Sequence, residues 1–116
     1  AQAAAALART LRAQAVPGRT IAVCGMLRDK PIVDVLRILV PLVSSWHVAG
    51  LPGARGTSSE DMRAALAAAG ARAGVGWHAD IEQAYAAALA EAGENDRIVV
   101  FGSFHTVGAI LRLPKI

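Results

Sequence analysis

The apolar run Ile98-Val99-Val100-Phe101 passes directly into Gly102-Ser103, and this junction constrains the fold more than any other segment of the chain. Consecutive apolar residues without polar alternation describe a strand covered on both faces, which is the environment of a parallel sheet. Gly102 permits a close turn, and serine is a residue type that caps helices. The expected unit is therefore strand, turn, helix, with Ser103 as the cap. The helix start beyond it offers unpaired N–H groups and the positive end of a dipole, which favour a carboxylate or a phosphate.

The rest of the chain repeats this alternation. Residues 3–14 are alanine-rich, with Leu7 and Leu11 on one face, and read as a helix that stops before Pro17-Gly18. Residues 20–25 read as a short buried strand and 26–30 as the loop leaving it. Pro31 suits the first turn of a helix whose apolar positions are Ile32, Val35, Leu36, Leu39 and Val40. A second strand is expected around 46–49, followed by the loop Gly50-Leu51-Pro52-Gly53. Thr57-Ser58-Ser59-Glu60 places a hydroxyl three residues before an acid, the capping-box pattern, ahead of a helix through Met62 and Leu66 that Gly70 ends. Residues 73–78 are the weakest strand because two glycines interrupt them. Asp80 caps a helix through Ile81, Ala84 and Ala88 that closes at Gly93, and the last helix ends by Pro114. Such an order implies an α/β, Rossmann-like three-layer sandwich, a mostly parallel sheet with helices on both faces. Ligands of these sheets lie beyond the carboxyl ends of the strands, so the loops at 25–31, 50–59 and 102–106 share one candidate edge.

Length and composition narrow the function. With 116 residues the chain suits one domain. Its longest apolar stretches fall far short of the roughly 20 residues needed to cross a bilayer, so no membrane partner and a cytoplasmic location are expected. Lys and Arg outnumber Asp and Glu by 12 to 9, but the arginines are scattered and aromatic residues make up 4%. Nucleic-acid binding calls for a basic stripe with stacking rings, and none is expected here. The lone Cys24 sits in an apolar run and reads as a buried core thiol. Neither a G-x-x-x-x-G-K-[ST] loop nor a G-x-G-x-x-G turn is present, so the usual signatures for holding a triphosphate or dinucleotide are missing. His47, His78 and His105 lack metal-site spacing, and no metal ligand is assigned. What remains is a set of anion-directed groups at one edge: Arg28, Asp29, Lys30, Arg55 and Ser103. These fit either an enzyme domain acting on an anionic substrate or a non-catalytic α/β module that binds a nucleotide or organic anion in a regulatory role.

The same residues carry a resemblance. Gly25-Met26-Leu27-Arg28-Asp29-Lys30, Trp46, Leu51-Pro52-Gly53-Ala54-Arg55 and Phe101-Gly102-Ser103-Phe104-His105-Thr106-Val107 stand in an order and spacing similar to the C-terminal domain of bacterial dihydrofolate synthase/folylpolyglutamate synthases, members of the Mur-ligase superfamily. The resemblance covers nearly the whole chain. It implies an ATP- and magnesium-dependent ligase that phosphorylates a folate or dihydropteroate carboxylate and then joins it to the amine of L-glutamate. It also implies a separate upstream ATPase domain that holds most of the nucleotide, while the C-terminal domain helps bind glutamate and closes over the nucleotide.

Residue roles follow by motif. The resemblance implies substrate contact for Lys30, Arg55 and Ser103: Lys30 by charge, to a substrate carboxylate or a nucleotide phosphate, Arg55 through its fork of donors, Ser103 through its hydroxyl and backbone N–H. It places Asp29, which would orient Lys30, and His105 nearer the nucleotide. The family's Asp-Lys-Asp segment ends here in Pro31, a departure at its third position, and Arg28 is expected to be peripheral. The family's first strand of this domain, with an Asp-x-Ala-His-Asn-Pro segment, would stand before Ala1. The chain is thus expected to begin one strand late, and residues 1–116 alone are expected to be inactive.

Overall fold

A computed structural model describes residues 2–72 and 74–102. Ser103, His105 and the helix expected after them lie outside the described residues. The elements run α1 (Gln2–Ala13), β1 (Thr20–Cys24), α2 (Ile32–Leu39), a 3-10 turn (Val40–Leu42), β2 (Ser45–Ala49), α3 (Ser59–Ala68), β3 (Val75–His78), α4 (Ile81–Glu91) and β4 (Arg97–Phe101). The four strands form one sheet in the order β3-β2-β1-β4, and every pairing is parallel. This is the α/β class the alternation implied.

Side-chain alternation divides the sheet into two faces. Ala22 and Cys24 of β1 and Trp46 and Val48 of β2 join Ala8, Leu11, Leu36, Leu39, Met62 and Leu66, so α1, α2 and α3 cover one face. Ile21, Val23 and Ala49 meet Ile81, Ala84 and Ala88 of α4 on the other. Beside α1, Ala4 and Ala8 are buried with Leu11 while Leu7 is only partly buried, so small side chains form its inner stripe. Small residues serve the sheet in the same way. Ala22 and Cys24 on the central strand leave room for Trp46 and Phe101 to meet edge-on across it, with ring centroids 5.9 Å apart. Burial raises the Cys24 thiol far above its ordinary pKa, as the reading of a core thiol implied.

Local signals hold with shifts of a residue. Pro31 stands at the N-cap of α2 rather than inside its first turn, and Pro41 falls in the 3-10 turn that ends it. The cap of α3 is Ser58, whose Oγ accepts from the Asp61 N–H at 3.0 Å, not Thr57 as the Thr57–Glu60 spacing implied. Thr57 is instead buried, and its Oγ1 has no partner among the described residues. Asp80 caps α4 as expected, accepting from the Gln83 N–H at 2.8 Å. Gly70, with φ of 101°, follows α3 where a left-handed residue can end a helix. No helix among the described residues is long and apolar enough to cross a membrane.

The strand order also fixes where a ligand edge can form. From β1 the chain moves outward to β2 and β3, then returns under the sheet through α4 to place β4 on the other side of β1. The order reverses between β1 and β4, and the crevice beyond their carboxyl ends is the place where such sheets hold ligands.

Candidate functional site

Three strand ends build the site: residues 25–30 after β1, 50–58 after β2, and Gly102 after β4. Gly102 takes φ of 131°, and a Cβ there would fall onto the Gly25 carbonyl oxygen. Only glycine allows the β1 and β4 ends to approach so closely. Beside this contact lies a cleft of about 220 Å³ lined by Leu7, Met26, Lys30, Val35, Phe101 and Gly102 among others. Lys30 is the cation on its wall.

The β1 and β2 loops are zipped together. Leu27 and Gly56 form an antiparallel bridge, the Arg28 N–H donates to the Arg55 carbonyl at 2.8 Å, and the Thr57 N–H donates to the Met26 carbonyl at 3.1 Å. The Arg28 guanidinium donates to the Ala54 carbonyl, so Arg28 has a structural task within this ribbon. Arg55 Nη2 donates to Asp29 Oδ2 at 2.7 Å across the two loops. That hydrogen bond holds the Asp29 carboxyl below its ordinary pKa. Asp29 therefore partners Arg55 by a hydrogen bond, and Lys30 acts on it through charge.

Chemically, the ribbon carries Arg28, Lys30 and Arg55 against Asp29, an excess of two positive charges on exposed loops. Arg55 is 71% exposed, and among the described residues its guanidinium commits one nitrogen, Nη2, to Asp29. Since a guanidinium has five N–H donors in a fixed fork, the outer donors can take a carboxylate. Among the described residues no three His, Cys, Asp or Glu side chains come together to hold a metal ion.

A second polar cluster, under α4, was not legible as a unit. Glu91 Oε1 accepts from His47 Nε2 at 2.7 Å and from Ser45 Oγ at 3.0 Å, and Glu91 Oε2 pairs with Arg19 at 2.9 Å. His47 Nδ1 lies 3.0 Å from His78 Nε2. A carboxylate only accepts, so His47 Nε2 carries a proton; when His47 is neutral its Nδ1 accepts from the His78 Nε2–H, and when His47 is charged its Nδ1–H donates to His78 Nε2. Burial and the charge of His47 hold the His78 pKa below its ordinary value. For Glu91, burial acts to raise the pKa, but hydrogen bonds from His47 and Ser45 and the charges of His47 and Arg19 prevail and lower it. A Cβ on Gly76 would stand 3.1 Å from both His47 Nδ1 and His78 Nε2, so the glycine that weakens β3 as a sequence signal is what makes room for the two rings. The only hint of this cluster in the sequence is that His47 and His78 both fall in strands, and the register Ala49↔His78 decides that they meet.

Comparison with known proteins gives a consistent result. The family described as "Mur ligase, glutamate ligase domain" matches residues 1–104. The chain is 39% identical over 107 residues to the dihydrofolate synthase/folylpolyglutamate synthase of Escherichia coli K12, covering 90% of this chain and 24% of that protein. It is 36% identical over 94 residues to the protein of the same name from Haemophilus influenzae, covering 81% and 22%. Among solved structures, E. coli FolC in complex with DHPP and ADP superposes with a TM-score of 0.86 at 35% identity, over 95% of this chain and 25% of that one. The bifunctional folylpolyglutamate synthase/dihydrofolate synthase with Mn, AMPPNP and L-glutamate bound superposes with a TM-score of 0.81 at 35% identity, over 97% and 27%. The chain thus spans about a quarter of the length of the curated relatives it matches.

Proposed function

The chain belongs to the family of Mur ligase glutamate ligase domains, and from that premise we propose that it is the C-terminal domain of a cytoplasmic ATP-dependent ligase that adds L-glutamate to dihydropteroate, to folylpolyglutamate, or to both. The observation that carries this reading is the zipped ribbon at the carboxyl edge of the sheet, with Lys30 and Arg55 on it and an excess of positive charge. Relatives with ADP, AMPPNP, Mn, DHPP or L-glutamate bound support the same chemistry. In the proposed reaction the γ-phosphoryl group of ATP passes to the folate-type carboxylate and ADP leaves. The glutamate amine then attacks the acyl carbon, the amide forms, and phosphate departs as the nitrogen loses its proton.

This domain's share is to present glutamate. Arg55, steadied by Asp29, takes a glutamate carboxylate with its outer donors, Lys30 adds charge from the cleft wall, and Ser103 adds donors at the turn after β4. Asp29 and His105 are the groups assigned to the nucleotide side. ATP and magnesium are assigned mainly to an upstream ATPase domain of the same polypeptide, and the relatives' roughly fourfold greater length supports such a partner. A first strand ahead of α1 belongs to the same proposal. The test is glutamate-dependent ADP release by the full-length protein with dihydropteroate or tetrahydrofolate. Release with either supports the assignment, and release with neither defeats it.

A further inference from the structure

The loop that carries Arg55 is closed at its base by one hydroxyl. Ser59 is the first residue of α3, and its Oγ accepts from the Gly50 N–H at 2.7 Å and donates to the His78 carbonyl at 2.5 Å. Gly50 is where the chain leaves β2, and His78 is the last residue of β3. A single side chain therefore ties the exit of β2, the entry of α3 and the end of β3. Just above this clasp, the Leu51 N–H donates to the Thr57 carbonyl at 3.0 Å, while Arg55 at the far side is zipped to the β1 loop. The fit is tight: a Cβ on Gly50 would stand 2.8 Å from the Ser59 nitrogen, and one on Gly56 would fall onto the Leu51 carbonyl.

Nothing in the helix itself requires this hydroxyl. Ser58 already caps α3, accepting from Asp61, so the Ser59 side chain is spent wholly on tertiary contacts. We infer that Ser59 is a positioning residue for glutamate binding: its hydroxyl clasps the base of the loop at 50–58 and thereby fixes where Arg55 presents its guanidinium. This rests on the reading of Arg55 as a glutamate-binding group. Without the clasp the Gly50 N–H loses its acceptor, the loop keeps its Leu51–Thr57 backbone bond and its zipper to the β1 loop but is no longer tied to β3 and the start of α3, and Arg55 samples more positions before substrate arrives. The consequence falls on substrate capture rather than on the chemical step.

Steady-state kinetics on the full-length protein test this, with Ser59→Ala, Ser59→Thr and Arg55→Ala compared. Ser59→Ala should raise the glutamate KM about three- to tenfold, as expected when two half-buried hydrogen bonds that order the loop are lost, with kcat and the ATP KM within about twofold of wild type. Ser59→Thr keeps the hydroxyl and should restore the glutamate KM. In parallel, amide hydrogen exchange should show faster exchange at Gly50 and Leu51 in Ser59→Ala and not in Ser59→Thr. If Arg55→Ala raises the glutamate KM while Ser59→Ala leaves it unchanged, the positioning role is overturned and the glutamate site stands. If Arg55→Ala also leaves it unchanged, the reading of the site itself fails. A fall in kcat with unchanged KM in Ser59→Ala, or failure of threonine to rescue, likewise overturns the positioning role.

Discussion

Replacing Glu91 by alanine removes one carboxylate that satisfies three donors at once. His47 is largely buried, and its Nε2 has no other partner among the described residues, so leaving that N–H unpaired costs about 1–3 kcal/mol. Ser45 Oγ keeps only a long 3.4 Å contact to the Gly74 carbonyl, a loss of about 0.5–1 kcal/mol. The Arg19 pair is half exposed and screened by solvent, and adds only about 0.2–1 kcal/mol. Because the three share one acceptor they do not simply add, and a destabilisation of about 2–4 kcal/mol is expected for Glu91→Ala at neutral pH. Glu91→Gln keeps an acceptor for His47 and loses the charge, which sets its expected cost near 1 kcal/mol. Arg19→Ala removes this exposed arm together with the donations to the Glu91 carbonyl and to Asp96 Oδ2, all from a half-exposed guanidinium, and should cost less than Glu91→Ala. Urea unfolding of the chain followed by circular dichroism gives the measurement, read as a shift in midpoint at constant slope. The order wild type, Gln, Ala in falling stability is the expected result. Glu91→Ala within about 0.5 kcal/mol of wild type would refute the claim that the carboxylate satisfies buried donors.

The same cluster sets a pH dependence. His78 is held below its ordinary value of 6.5, so the unfolded chain takes up that proton first and stability should fall as pH drops below about 6.5. Glu91, also lowered, adds a loss at more acid pH as its carboxylate is protonated. Urea midpoints at pH 7, 6 and 5 should decline, and His78→Gln should flatten the upper part of that decline; an unchanged slope would contradict the sign. Arg97 reaches from β4 to the end of α1, its guanidinium donating to the Leu11 and Gln14 carbonyls and, at 2.7 Å, to Thr20 Oγ1. Arg97→Lys should therefore lose nearly as much as Arg97→Ala, about 2 kcal/mol, because an ammonium cannot span three acceptors with that planar fork. Gly102→Ala meets both a positive φ and the Gly25 carbonyl and should cost at least about 3 kcal/mol, whereas Gly53→Ala, with φ of 91° but open space around it, should cost about 1 kcal/mol. Equal effects of the two glycine substitutions would show that the close approach of the strand ends is not what requires Gly102.

Strand and helix positions were legible because burial leaves a local period. The run Ile21 to Cys24 lacks polar alternation because both faces of the sheet are covered there, the run Ile98 to Phe101 is half-buried with its residues packed against both core clusters, and Asp80 announces α4 because a cap acts within three residues of itself. Lys30, Arg55 and the Gly102 turn could be placed at one edge for the same reason: parallel strands joined by helices put every strand end on one side. The capping reading at Thr57 erred by one residue because Thr57, Ser58 and Ser59 all offer hydroxyls. Only packing decides that Thr57 is buried, Ser58 caps and Ser59 bridges.

Partners distant in sequence follow a different rule. Asp29 with Arg55, His47 with His78 and Glu91, and Arg97 with the end of α1 are separated by 26, 31, 44 and 83 or more residues. No local period records such a pairing; it is set by strand order and register, and a register shift of one residue on β3 would turn His78 to the opposite face. Trp77 shows the converse: it sits in a strand yet is 45% exposed, with Arg63 over its ring, because β3 is an edge strand. Local spacing was enough to show which segments form strands and helices, what class of sheet they build and which edge gathers positive charge, since these depend on neighbouring residues. Tertiary structure alone decided that Asp29 holds Arg55, that Ser59 closes its loop and that a histidine pair rests on Gly76, since each needs two separate elements brought to within hydrogen-bond distance.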